Sequence, residues 1–167
     1  MGKYHTEPKL YVTTSERLDD PEPRGEWFAL ADYADKDDFL GACLARYPGE
    51  EEHNLVFPDS EGIPESLYDQ SGNLDEIYEY IDTINGGHCS QDVIDAGLYL
   101  GISLDSIGEA YQGEFRSDSE FAQIFAEDGG LTRDRMSWPH SCIDWEQAAK
   151  ELMYDYSSDS GHYFSNY

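Results

Sequence analysis

Positive charge is what this sequence has least of. Four Lys and six Arg stand against 36 Asp and Glu, for a formal net charge of −26 over 167 residues. The ten form no cluster, so there is no basic footprint for nucleic acid, and anionic membrane surfaces are repelled for the same reason. Cysteine is scarce as well. Cys43, Cys89 and Cys142 are odd in number, widely spaced and without a CxxC, which argues against a disulfide framework and for a reducing cytoplasm. The opening MGKYHTEPKLYV lacks an apolar run of signal length. No stretch approaches the roughly 18 apolar residues of a membrane span. The expected location is cytoplasmic, with no membrane partner.

Apolar residues, by contrast, are plentiful. They make up 39% of the chain, and aromatics make up 14%. Disordered acidic chains lack aromatics, so this one is expected to fold. The length suits one ordinary domain or two to three very small ones.

The hydrophobic pattern divides the chain into three sections. The first reads β-β-α-β. Leu10–Thr14 is a strand, Ser15–Gly25 a loop, and Glu26–Ala31 a buried strand. Asp35 caps a helix carrying Phe39, Leu40, Cys43, Leu44 and Tyr47, and Pro48-Gly49 stops it. Leu55–Phe57 is a short strand before Pro58. The middle section is helical. Leu74, Ile77, Tyr78, Ile81 and Ile84 form one stripe, and Gly86-Gly87 ends it. Ser90 caps a helix with Val93, Ile94 and Leu98, closed by Gly101, and Ser103 starts a short turn with Leu104 and Ile107.

The last section reads β-α-α-β. Ala110–Arg116 is a strand, and Ser117…Glu120 is a capping box. Phe121, Ile124 and Phe125 supply the buried stripe before Gly129-Gly130. Asp144 opens a helix through Ala148, Ala149, Leu152 and Met153, and His162–Phe164 is a final strand. The fold class expected is α+β, in three small domains: mixed α/β over 1–61, helical over 62–104, mixed α/β over 105–167.

The placing of the carboxylates matters more than their number. They fall on the polar faces of the expected elements rather than in a tail. From Arg46 to Arg116 there are sixteen Asp and Glu and no Lys or Arg. Asp75 and Glu79 are four apart, and Glu79 and Asp82 three apart. Like charges so spaced cost a helix roughly 0.2–0.5 kcal/mol per pair. A mixed-sign surface would dissolve as well, so stability alone does not account for the pattern. Duplex DNA carries one charge per roughly 1.7 Å of axis, and on that scale the net charge matches about 44 Å of duplex. The candidate phosphate-mimicking carboxylates are Asp37, Asp38, Asp59, Glu61, Asp75, Glu76, Glu79, Asp82, Asp92, Asp95, Glu109, Glu114, Asp118 and Glu120. Plainer readings of such a surface are an ordinary solvated face and salt adaptation.

Other motifs yield less. Asp69–Glu76 has oxygen ligands at calcium-like spacing but lacks the twelve-residue loop pattern, and reads as a turn and helix cap. His88-Cys89 and His140-Ser141-Cys142 match no common zinc spacing. Cys43 sits on an apolar stripe, as a core residue. No nucleophile elbow is present, and no carboxylate pair stands out for glycosidase-type chemistry. The reading is therefore a non-enzyme, with no catalytic residue, no metal and no cofactor.

Three segments resemble the ArdA-type antirestriction proteins. Trp27-Phe28-Ala29-Leu30-Ala31-Asp32-Tyr33, followed by Asp37-Asp38-Phe39, is similar to that family's opening, with departures at Ala31 and Asp38. Phe57–Pro64 resembles its D-x-E-G-I-P segment. Asp144–Leu152, with Asp155-Tyr156 and Tyr163-Phe164, resembles its C-terminal block. The resemblance implies an elongated homodimer of three small domains, carried on mobile elements, that mimics DNA. Its target would be a type I restriction–modification enzyme, bound at the DNA groove of the specificity and methyltransferase subunits. The alternative is an acidic cytoplasmic adaptor for another basic protein; a hydrolase with paired carboxylates ranks third. Two bodies of this charge repel, so a dimer needs an apolar patch, and Phe121, Phe125, Trp138 and Trp145 are the candidates.

Overall fold

The computed structural model describes residues 4–18, 24–69, 72–131 and 140–166. Two compact units divide between Asp95 and Ala96.

The first unit is built on an antiparallel sheet of order β2-β1-β3. β1 (Lys9–Thr14) is central because it buries Leu10 and Val12 completely. Residues 15–18 were expected as loop and instead form a single helical turn, α1 (Ser15–Leu18), with no buried residue. β2 (Glu26–Ala29) is shorter than the sequence suggested, because the chain tightens into a 3-10 turn over Leu30–Asp32 that tucks Leu30 wholly into the core. β3 (Leu55–Glu61) is longer, running through Pro58. It can do so because it is an edge strand with a register shift opposite Tyr11–Thr13, where a missing N–H costs no ladder bond.

α2 (Lys36–Arg46) starts where Asp35 accepts the Asp38 N–H. It delivers Phe39 to the centre of the unit. That ring is fully buried and lies 5.7–6.5 Å from those of Phe28, Tyr33, Phe57 and Tyr78. α3 (Leu74–Gly86) buries Leu74, Ile77, Tyr78, Tyr80, Ile81 and Ile84, the expected stripe plus Tyr80. α4 (Gln91–Tyr99) follows Ser90 and crosses the boundary between the units. It ends at Gly101, which takes the left-handed conformation (φ +82°). There the Gly101 N–H bonds Leu98 O, and the Ile102 N–H bonds Gly97 O. This double closure satisfies the last carbonyls and favours glycine.

The second unit holds α5 (Leu104–Ala110), β4 (Tyr111–Glu114), α6 (Asp118–Asp128), α7 (Trp145–Leu152), β5 (Tyr156–Asp159) and β6 (His162–Ser165). Its sheet has the order β4-β6-β5. The sequence pattern did not reveal β5, whose four residues are only half-buried and carry no apolar alternation. Its signal was the turn. Ser160 and Gly161 both have positive φ (51° and 85°), as a two-residue hairpin loop requires. The core centres on Phe121, whose ring lies 4.7–5.1 Å from those of Tyr163, Phe115 and Tyr156. No helix among the described residues is long and apolar enough to cross a membrane.

Candidate functional site

The sequence singled out carboxylates, and the fold sorts them. Asp37, Asp59, Glu61, Asp75, Glu76, Glu79, Asp82, Asp92, Glu109, Glu114 and Asp118 are all exposed, as is Asp38. α3 explains why four of them come together. Its buried stripe uses up one side of the helix, so Asp75, Glu76, Glu79 and Asp82 must occupy the other.

Several of these acids also have local duties. Asp38 accepts the Ala34 N–H at 3.1 Å while its own N–H goes to Asp35, a reciprocal box at the start of α2. Glu120 repeats this at the start of α6. It accepts the Arg116 N–H at 2.7 Å, while its own N–H goes to the Ser117 hydroxyl at 3.2 Å, and it is only half-exposed. Asp118 accepts from the Tyr163 hydroxyl, which burial and this carboxylate push up to about 12. Lys36 pairs with Asp75. The remaining surface acids, Asp37, Glu61, Glu76, Glu79, Asp82, Asp92, Glu109 and Glu114, have no side-chain partner among the described residues.

Asp95 points inward. Its carboxylate accepts the Tyr80 hydroxyl at 2.7 Å, and burial raises its pKa. Behind it lies a closed relay. The Gln91 amide, 4% exposed, donates to the Tyr80 hydroxyl (2.9 Å) and to Thr6 O (3.1 Å). Its oxygen accepts the His5 and Thr6 N–H groups. Asp95 is thereby a structural group at the end of a satisfied buried network, and its charge is not presented to solvent as the other acids are.

Charge is unevenly shared. The first unit carries twenty-three Asp and Glu against six Lys and Arg, the second thirteen against four. The stretch without Lys or Arg runs from β3 to β4.

The remaining candidates also have clear places. Cys43 is fully buried, and burial pushes its thiol up to about 12. In the calcium-like stretch, Asn73 stands before α3 with no side-chain cap bond. Among the described residues no group of His, Cys, Asp and Glu is arranged to hold a metal. Of the apolar residues chosen for a dimer contact, Phe121 is 2% exposed and is consumed by the core of its own unit, so it has no surface to offer a partner. Phe125 is 44% exposed, Trp145 is half-buried against His140, and Trp138 lies outside the described residues.

Sequence reasoning set the run Glu50-Glu51-Glu52 aside as loop. In the structure it leads into a 3-10 turn over Glu52–Asn54 that borders an open pocket of about 550 Å³, lined by Leu40, Leu55, Phe57 and Leu74. The available signal was three acids abutting an apolar strand.

A family model described as antirestriction protein (ArdA) matches residues 10–164. Comparison with curated proteins and with solved structures returns no match.

Proposed function

The chain belongs to the ArdA antirestriction protein family, and from that premise we propose that it inhibits type I restriction–modification enzymes as a folded substitute for DNA. It would occupy the groove that the specificity and methyltransferase subunits form around the duplex. Inhibition by occupation needs no catalytic step and no cofactor.

The observation that carries this reading is the exposed face of α3, set within a stretch that has no fixed positive charge. At 1.5 Å per residue, Asp75 to Asp82 spans about 10.5 Å of helix axis. Four carboxylates over that length lie about 3.5 Å apart along the axis. One strand of B-DNA places a phosphate every 3.4 Å or so. A groove shaped for such a strand meets a similar charge density on a rigid body, and counterions held by that body are released on binding, as they are from DNA. Asp37, Asp59, Glu61, Asp92, Glu109, Glu114 and Asp118 extend the field; Asp38 and Glu120 contribute less, because they also cap helices. The three-part organisation and a homodimer belong to the same proposal, with Phe125 and Trp145 as the remaining described candidates for the dimer contact.

Competition decides it. The protein is titrated against a type I methyltransferase core bound to its cognate DNA, over a salt series. Near-stoichiometric displacement that weakens steeply as salt rises supports mimicry of the polyanion. No displacement at low salt removes this target.

A further inference from the structure

We infer that the pocket beside Glu51 and Glu52 receives a single arginine side chain of a protein partner. Its floor is apolar: Leu40, Leu55, Phe57 and Leu74 are each less than a tenth exposed. Its rim is acidic, with Glu51 and Glu52 both exposed. The volume, about 550 Å³, falls in the range of small-ligand pockets, roughly 300–1,000 Å³. An occupant that matches both parts has an aliphatic stem and a cationic head.

In most proteins a nearby Lys or Arg of the same chain covers such a surface, laying its stem on the apolar part and its head on the acids. Here the chain has no Lys or Arg between Arg46 and Arg116, and pocket and rim fall within or beside that stretch. The cation must therefore come from another molecule.

The rim acids differ in availability. Glu50, just outside the rim, accepts from the Asn54 amide at 3.0 Å, and Glu51 lies 3.4 Å from the His53 ring. Glu52 has no side-chain partner among the described residues. Arginine fits better than lysine, because a planar guanidinium engages two neighbouring carboxylates at once.

The binding inference stands on the pocket alone; its role in inhibition rests on the reading above, and two experiments separate them. In the first, the full chain, isotope-labelled, is titrated with N-acetyl-arginine methylamide and with the neutral, near-isosteric citrulline analogue. Amide shifts confined to Leu40, Glu51–Phe57 and Leu74, and absent with citrulline, are expected. Shifts spread equally over α3 and α5, or equal shifts with citrulline, overturn the site. In the second, Glu52→Gln and His53→Lys are compared with Glu109→Gln in the displacement assay; each changes the charge by one. His53→Lys supplies the pocket with a cation of its own. Both pocket variants are expected to weaken displacement about tenfold, beyond the Glu109 variant. Equal effects at all three positions overturn the pocket's role, while a wild-type chain that displaces nothing refutes the mimicry and leaves the first experiment to judge the pocket.

Discussion

Replacing Glu79 by Gln should stabilise the protein and weaken its inhibition at the same time. Glu79 has like charges at three helical neighbours, Asp75 (i−4), Glu76 (i−3) and Asp82 (i+3). Lys36 already offsets Asp75, so two uncompensated repulsions remain. At roughly 0.2–0.5 kcal/mol each they sum to about 0.4–1.0 kcal/mol. For a unit of this size that raises the melting temperature by about 2–8 °C. The same carboxylate facing a cation in a target groove is worth about 0.2–1 kcal/mol, so inhibition weakens about 1.4- to 5-fold. Calorimetry and the displacement assay on one preparation read both. The stability gain should shrink in high salt, as exposed charges are screened. A lowered melting temperature would mean that Glu79 holds the fold together. Loss beyond a hundredfold would mean that one residue, and not a distributed field, carries the binding.

Three other outcomes follow from the buried groups. Asp95 has a raised folded pKa, so its protonated form is favoured in the fold; stability from this group is full below the unfolded pKa and is lost as pH rises through the folded one. Asp95→Asn, which keeps an acceptor for Tyr80, should therefore raise the melting temperature at pH 7 more than at pH 3.5, and an equal shift at both pH values would contradict this. Phe121→Ala should cost about 3–5 kcal/mol of the second unit's stability, independently of protein concentration, because the ring packs within its own unit; a loss confined to dilute samples would place it at a contact between copies instead. Native protein at pH 8 should react with a thiol reagent at exposed Cys142 and not at Cys43, as peptide mapping would reveal.

What the sequence disclosed, it disclosed through local chemistry. The stripe on α3, the cap at Asp35, the box at Ser117 and the stop at Gly101 each involve partners within a few residues, and all stand where the pattern put them. The extent of β3 was missed because Pro58 is tolerated only by virtue of an edge position, which depends on β1, more than forty residues away. The carboxylates were legible as a population and not as individuals. That Asp95 turns inward depends on Tyr80 and Gln91, and that Asp75 is neutralised depends on a lysine 39 residues earlier. Glu120 was readable in both roles, since the box that identified the helix also occupies its side chain.

The Gln91 amide has a consequence in time. It joins Thr6, near the first described residue, to a helix 85 positions later. At about 5–20 residues per second, roughly 4–17 s of synthesis separate those two partners. Until then the backbone of His5 and Thr6 has only water to bond, and the Tyr80 hydroxyl lacks both of its partners. The acid-rich face of α3 is made before the clamp that fixes the helix behind it. During those seconds a nascent chain already carries most of the first unit's charge without its final rigidity, and it ceases to be merely an acidic polymer only when Gln91 arrives.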